Sequence, residues 1–459
     1  MQYSIIQKSQ LEGAHRLDAE YYQPEYLEVH NKINSLGIEI KLLRDIVLRP
    51  VITGSTPKSR DCRGDDTDIK FIKTDTLREG EIVFENADCL PMKSNRKHSE
   101  PQGGDVLVTI IGATHDIVGR SAMVLADDPK MNINQNIALI RVNTKLVLPS
   151  FLEAFLQGKF GRDQLWQQSR QTEQVNLNCR EIELIKIPLF SSRFQKGIDE
   201  LVSLSRKLKN DALIFYQQAE ELLLGELGLK DFHFEDDLSF VVNFSDVQNA
   251  DRIDAEYFQP KYQKLISKIK DQNAKVLSDL VSIKKGFEPG SEAYQEEGKL
   301  FIRVSSLSKF GIDSSDQKYL SDDLFNQLRV DYQPQIGEVL LTKDATPGIA
   351  YVLKESIGGV ISGGILRMKT KNGIEPEYLA LCINSIVGKW QAERDAGGSV
   401  IAHWKPDRIR NILIPVLPRE KQDEIAELVR KSHEARKKSK ELLEEAKSKV
   451  EEMIEKEGN

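Results

Sequence analysis

The 459-residue chain has few of the residues that staple or arm a protein. It holds four cysteines, Cys62, Cys89, Cys179 and Cys382, and none forms a C-x-x-C pair. They are expected to be reduced cytosolic thiols rather than a disulfide frame or a zinc site. Nowhere do ~18 apolar residues run together, so no membrane-spanning segment is expected. The opening MQYSIIQKSQ lacks a basic segment followed by an apolar core, and no secretory signal is expected. Catalytic signatures are missing as well. Gly298-Lys299-Leu300 lacks the Ser or Thr of a phosphate-binding loop, and no G-x-G-x-x-G follows a strand pattern. No H-E-x-x-H and no Asn-Pro-Pro-aromatic segment occurs, and His115-Asp116 reads as a surface loop. Pro406-Asp407 has no acidic-x-Lys partner of the nuclease kind. The chain is therefore expected to be no enzyme and to hold neither metal nor cofactor. Positive charge is in deficit, with a net charge of −7. Phosphate contacts need clustered Lys and Arg, not a basic total, so nucleic acid is not excluded as a partner.

What the chain has is repetition. RLDAEYYQPEYLEVHNKI from Arg16 is answered by RIDAEYFQPKYQKLISKI from Arg252, with ten of eighteen positions identical. GDVLVT from Gly104 is answered by GEVLLT from Gly337, IELIKIP from Ile182 by IRNILIP from Ile409, and FQKGIDELV from Phe194 by KQDEIAELV from Lys421. One unit was duplicated and its copies diverged. A chain this long exceeds one ordinary core, and two domains of roughly 190 residues plus connectors fit it.

Each copy has the same expected plan. Pro24 and Pro260 open short helices, since the first helical turn needs no backbone donor there. Short β-branched runs follow, KFIKTDTL, GDVLVTIIG, NIALIRV and IELIKIPL in the first copy and LFIRVSSL, GEVLLTK, GILRMKT and RNILIPVL in the second. Helical patches fall at 149–169 and 375–394. The fold class is mixed α/β (α+β). Each copy then ends in a long helix. Ile198, Leu201, Ser205, Leu208, Ala212, Phe215, Ala219 and Leu222 step by three and four, as do Ile425, Leu428, Ser432, Ala435, Ser439, Leu442 and Ala446. This is a coiled-coil seam of about three heptads, and its small alternate residues let two backbones approach closely. The two helices are expected to pair antiparallel, related by an internal two-fold.

These features together resemble the specificity subunit of type I restriction–modification systems. The resemblance is carried by Thr53-Gly54-Ser55-Thr56-Pro57 before FIKTDTLREGEI, and by Gly104-Asp105-Val106-Leu107 before Gly112-Ala113-Thr114. It is carried also by ILIPVLP (412–418) with Gln422 and Ile425, and by Ile185, Ile187, Pro188, Gln195 and Ile198. The second copy departs from the glycine-Thr-Pro loop, with Lys284-Lys285-Gly286-Phe287-Glu288-Pro289-Gly290 in its place. The resemblance implies a target-recognition domain over 1–193, whose first 35 residues are a shared segment, and a central helix over 194–228. It implies a second recognition domain over 229–418 and a C-terminal helix over 419–459. It further implies that each domain reads half of a bipartite, asymmetric site in double-stranded DNA. Two methyltransferase subunits and restriction subunits would be partners in a cytoplasmic complex that methylates adenine N6. S-adenosylmethionine, ATP and magnesium would belong to those partners.

On that reading, loops rich in Arg, Lys, Asn, Gln and hydroxyls are the candidates for DNA contact. In the first copy they are Thr56, Lys58, Arg60 and Arg63, then Lys93, Asn95, Arg96 and Lys97, then Arg170, Gln171, Thr172 and Asn176. In the second they are Lys284, Lys285, Arg303, Ser305, Lys343, Thr346, Ser399, His403 and Lys405, with Trp404 open to stacking on a base or to ordinary packing. The segments QSRQTEQVNLN (168–178) and GGSVIAHWK (397–405) are the foremost pair. Tyr21, Tyr22, Tyr257 and Phe258 are read either as an aromatic plug against the helix pair, with local Arg16–Asp18 pairing, or as a docking surface. Three other readings stay open: a specificity subunit serving a fused methyltransferase–nuclease, a coiled-coil adaptor with two protein-binding globules, and an autonomous enzyme.

Overall fold

The computed structural model describes residues 4–8, 11, 16–57, 69–78, 80–112, 114, 117–170, 175–230, 232, 239–313, 317–371, 373–396 and 402–457. The chain divides into two compact units, Met1–Lys207 with Lys438–Asn459, and Leu208–Lys437. The repeat sets their content but not their edges. Each long helix, Ser192–Glu226 and Arg419–Glu457, is shared between the two units, where the sequence suggested helices standing apart from the domains.

In the first unit a four-stranded antiparallel sheet runs in the order Ile52–Thr53, Ile137–Ile140, Val106–Thr109, Ser121–Met123. A three-stranded sheet runs Met131–Ile133, Lys70–Ile72, Asp88–Cys89, its first pair parallel. The second unit repeats this order strand for strand. Its four-stranded sheet is Val281–Lys285, Ile365–Thr370, Val339–Thr342, Ala350–Val352. Its three-stranded sheet is Gly359–Ile361, Lys299–Ile302, Lys318–Leu320, again with the first pair parallel. The central strands Val106–Thr109 and Val339–Thr342 are buried along their whole length, which is why they read as unbroken aliphatic runs.

Polar groups recur in register with the strands. Arg141 grips Asp105 through Nε and a terminal nitrogen at 2.7 and 2.6 Å, and Arg367 grips Glu338 at 2.8 and 3.0 Å. Both pairs lie at the start of the central strand, where a charge can be buried because a forked cation answers both oxygens. Gln195 accepts from the Leu148 amide at 2.8 Å and donates to Leu146 and Phe190 carbonyls. Gln422 does the same with the Glu375 amide and the Gly373 and Leu417 carbonyls. Each buried amide thereby ties the root of a long helix to the start of Pro149–Gln157 or Pro376–Asn384. Glutamine at these two sites was part of the family resemblance, and this bonding is what it does.

The long helices pair within each unit. In the first unit the Ser205 hydroxyl donates to the Ser439 carbonyl at 2.7 Å and lies 2.9 Å from the Ser439 hydroxyl. In the second the Ser432 hydroxyl donates to the Ala212 carbonyl at 2.6 Å, and Lys421 lies 3.0 Å from Glu226. Residue numbers climb on one helix as they fall on the other, so the pairing is antiparallel. Side chain to main chain contact of this kind needs backbones close together, which serine and alanine permit. Ile198, Ser205, Ala212, Ala219, Ile425, Ser432, Ala435, Ser439, Leu442 and Ala446 are all buried. Leu201, Leu208, Phe215, Leu222 and Leu428 are a correction, being only half-buried. The fully buried alternates stand one residue later, at Val202, Tyr216, Leu223 and Val429. These residues belong to the core of the unit that holds them. The buried stripe therefore widens from a seam toward the globule, as on a helix covered on more than one side.

The DAEYYQP motif is folded on itself, against the end of a short helix rather than against the helix pair. Arg16 pairs with Asp18 at 2.8 Å, lies 4.9 Å from the Tyr21 ring centre and donates to the Gln168 carbonyl at 2.9 Å, at the end of Lys159–Gln168. Arg252 repeats this with Asp254 at 2.7 Å, the Tyr257 ring at 4.7 Å and the Arg394 and Asp395 carbonyls at the end of Ile386–Asp395. A guanidinium suits the negative end of a helix dipole. The cysteine expectation needs amendment too: Cys179 and Cys382 are free thiols, but Cys89 is disulfide-bonded. Isolated cysteines give no spacing signal from which such a bond could be read. Among the described residues no helix is long and apolar enough to cross a membrane.

Candidate nucleic-acid interface

The two foremost polar segments of the sequence are brought to the same place in the two units. In the first, Val175–Asn176 pairs antiparallel with Ile111–Gly112, so that Asn176 faces Ile111. In the second, His403 bridges to Asp344. The backbone beneath is the same. The Leu177 amide donates to the Ile110 carbonyl at 2.9 Å, and the Trp404 amide to the Lys343 carbonyl at 2.8 Å. The Ile110 amide donates to the Asn136 carbonyl at 3.0 Å, and the Lys343 amide to the Gly364 carbonyl at 2.9 Å. These bonds align Asn176 with His403, Ile111 with Asp344, and Gln135-Asn136 with Gly363-Gly364.

A third strand end completes each rim. Gly54 donates to the Asn134 carbonyl at 3.1 Å, and a Cβ there would stand 1.7 Å from the Ile133 carbonyl oxygen. At Gly286 the equivalent Cβ would stand 2.1 Å from the Ser362 oxygen. Only glycine lets these backbones touch. Two residues beyond each glycine, Thr56 hydrogen-bonds Gln135, and Glu288 lies beside Gly363. One scaffold thus carries two sets of side chains. The first is Thr56, Gln135, Asn136, Ile111 and Asn176. The second is Glu288, Gly363, Gly364, Asp344 and His403.

Asp344 is the electrostatic centre of the second rim. Its Oδ1 lies 2.9 Å from His403 Nδ1, and its other oxygen meets the Lys343 ammonium. Burial pushes the Asp344 carboxyl up, but hydrogen bonds from Lys343 and His403 outweigh it and hold its pKa below the usual value. Asp344 is therefore ionised at neutral pH and can only accept. Nδ1 of His403 must then carry a hydrogen, and the other ring nitrogen, Nε2, faces outward on a 63% exposed side chain.

The remaining candidates fall out as follows. Arg170 is exposed, exchanges both backbone bonds with Asn176, and lies 3.5 Å from Glu181. Lys405 and Thr346 are exposed beside His403 and Asp344 in sequence. Lys284 and Lys285 are exposed on Val281–Lys285, and a side chain at Gly363 would stand 3.7 Å from Lys285 Cε. Arg303 is half-buried and caps a short 3₁₀ turn, with Ser305 exposed in it. Lys343 is a correction, since it is 9% exposed and spent on Asp344, not an outward phosphate contact. Trp404 is buried and packs in the core of its unit, so the stacking reading falls away. Arg96 and Lys97 are exposed, as is Lys93, and Asn95 and the Arg96 carbonyl bond Asn132 on the three-stranded sheet. Lys58, Arg60, Arg63, Gln171, Thr172 and Ser399 lie outside the described residues. Gln135, Asn136 and Asp344 were missed. Aligning NQN (134–136) with SGG (362–364) through the repeat is the signal that would have found the first two. Among the described residues no cluster of three or more His, Cys, Asp or Glu is placed to hold a metal ion.

No protein-family model matches the chain. Over 132 residues it is 28% identical to the specificity subunit of the type I restriction enzyme EcoBI of Escherichia coli. That stretch is 28% of this chain and 27% of the relative, so about a quarter of the curated relative is matched. Among solved structures it is similar to the type I S subunit of M. genitalium, at 13% identity over 93% of this chain and 96% of that one, with a TM-score of 0.41. It is likewise similar to the HsdS subunit of Thermoanaerobacter tengcongensis, at 14% identity over 90% and 96%, with a TM-score of 0.31. Overlays that loose carry no argument, and the weight rests on sequence. In the stretch that matches the EcoBI subunit, and in the doubled motifs of its own two halves, the chain is similar to the specificity subunits of type I restriction–modification systems.

Proposed function

We propose that the chain is the non-catalytic sequence-specificity subunit of a cytoplasmic type I restriction–modification complex. Its two rims read the unequal halves of a bipartite DNA site. Methyltransferase subunits dock on it and supply S-adenosylmethionine and adenine-N6 chemistry, and restriction subunits supply the ATP- and magnesium-dependent steps. The observation that carries the proposal is the pair of rims, which share the backbone bonds of Leu177 with Trp404 and of Ile110 with Lys343 but carry different residues at Asn176 and His403, Ile111 and Asp344, and Thr56 and Glu288. Base readout requires that divergence, because each base pair shows its own pattern of donors and acceptors. The net charge of −7 fits a subunit whose phosphate affinity is shared with a partner.

The test is selection of duplexes from a random pool by the chain, alone and with its co-expressed methyltransferase subunit, followed by sequencing of modified adenines in cells bearing the whole system. Enrichment of one split motif in the complex, with methylation inside it, is the expected result. No split motif under either condition refutes the proposal and favours a protein-binding adaptor. Methyl transfer by the purified chain alone would make it an enzyme.

A further inference from the structure

Resting on that reading, we infer that the shared position of Asn176 and His403 is the specificity-determining position of each rim, and that Asp344 is a positioning residue for His403. Three observations converge on it. Asn176 and His403 are both exposed, yet each is fixed at its backbone by pairing to Ile111 or Asp344. A base-reading group needs this combination, since a side chain on a loose loop loses discrimination to its own freedom. The two residues occupy one place on one scaffold and differ in chemistry. The Asn176 amide offers a donor and an acceptor side by side, the pattern that complements adenine N7 and N6 in the major groove. His403 offers a single outward nitrogen. With Nδ1 engaged by Asp344 at 2.9 Å, Nε2 is the one ring nitrogen left for a base. Its complement is a single hydrogen-bonding group on a base edge, where the Asn176 amide takes a pair. In the first rim the position facing Asn176 is aliphatic, Ile111, and an amide needs no tautomer set for it.

The chain with its methyltransferase subunit is selected against the random duplex pool as wild type, Asn176→His, His403→Asn and Asp344→Asn. Asn176→His is expected to change preference at one base pair of the first half-site. His403→Asn is expected to do so at one base pair of the second, each losing roughly ten- to a hundredfold for the original base. Asp344→Asn should weaken preference at the same base pair as His403→Asn and at no other. A merely structural role would lower binding to every sequence alike, and the half-site left unaltered in each variant reports that the protein is folded. The inference is overturned if the variants keep the wild-type motif, if either changes both half-sites, or if Asp344→Asn acts at a different base pair. If the wild-type complex itself selects no split motif, the proposed function and this inference fall together.

Discussion

Arg367→Met is the substitution whose cost follows most directly from the structure. The guanidinium is 6% exposed and makes three bonds, to Glu338 at 2.8 and 3.0 Å and to the Asp331 carbonyl at 2.7 Å. Methionine fills the space but leaves the Glu338 carboxylate, 8% exposed, with only the Gln335 amide at 2.8 Å. Removing one partner of a buried pair costs about 3–5 kcal/mol, mostly the penalty of the stranded charge. For a unit of this size, at ~2–4 °C per kcal/mol, that is a fall of roughly 6–20 °C in its melting temperature. Replacing both partners, Arg367→Met with Glu338→Leu, removes the stranded charge, and more than half of the loss should return. The first-unit counterpart Arg141→Met should cost less, since the Arg141 side chain is 24% exposed and water reaches the vacated place. Urea unfolding of the variants, with limited proteolysis to assign the transition to a unit, measures all of these. A single variant within about 1 kcal/mol of wild type would refute the reasoning, as would a double variant no better than the single.

His433 is half-buried, and this loss of solvent lowers its pKa to about 4 against the Lys309 carbonyl bond and with Lys354 and Arg436 nearby. Between that value and the unfolded ~6.5 the unfolded chain binds a proton that the folded chain refuses. Stability is therefore full above pH ~6.5 and falls by ~1.4 kcal/mol per unit, about 3.5 kcal/mol in all, as pH drops toward 4. His433→Gln should flatten that slope in urea midpoints measured against pH, and parallel curves for the two proteins would contradict it. Ser432 is fully buried, so Ser432→Leu should force the paired helices apart at about 1–3 kcal/mol. Leu213→Ser, on the exposed neighbour, should stay within about 0.5 kcal/mol in the same denaturation assay.

The duplicated plan, the long helices and the small residues between them were legible because each rests on a repeated local pattern. Gln195 and Gln422 could be singled out as matched positions, although their triple bonding is tertiary. Val202 and Tyr216 were misassigned against Leu201 and Phe215 because steps of three and four fit both stripes. Only the globule's own core decides between them. Lys343 reads as a surface lysine in any loop, and nothing local foretells that Asp344 claims it. Gln135 and Asn136 were hidden by the strong strand signal on either side of them.

The first unit takes Ala446, Val450 and Ile454 into its core from residues that are synthesised after the whole of the second unit. During translation the earlier half therefore waits, one wall of its interior missing, while the later half already has every residue it needs. A nonsense codon just past Lys437 would spare all of the second unit's chain and unroof the first. Damage would appear more than two hundred residues upstream of its cause.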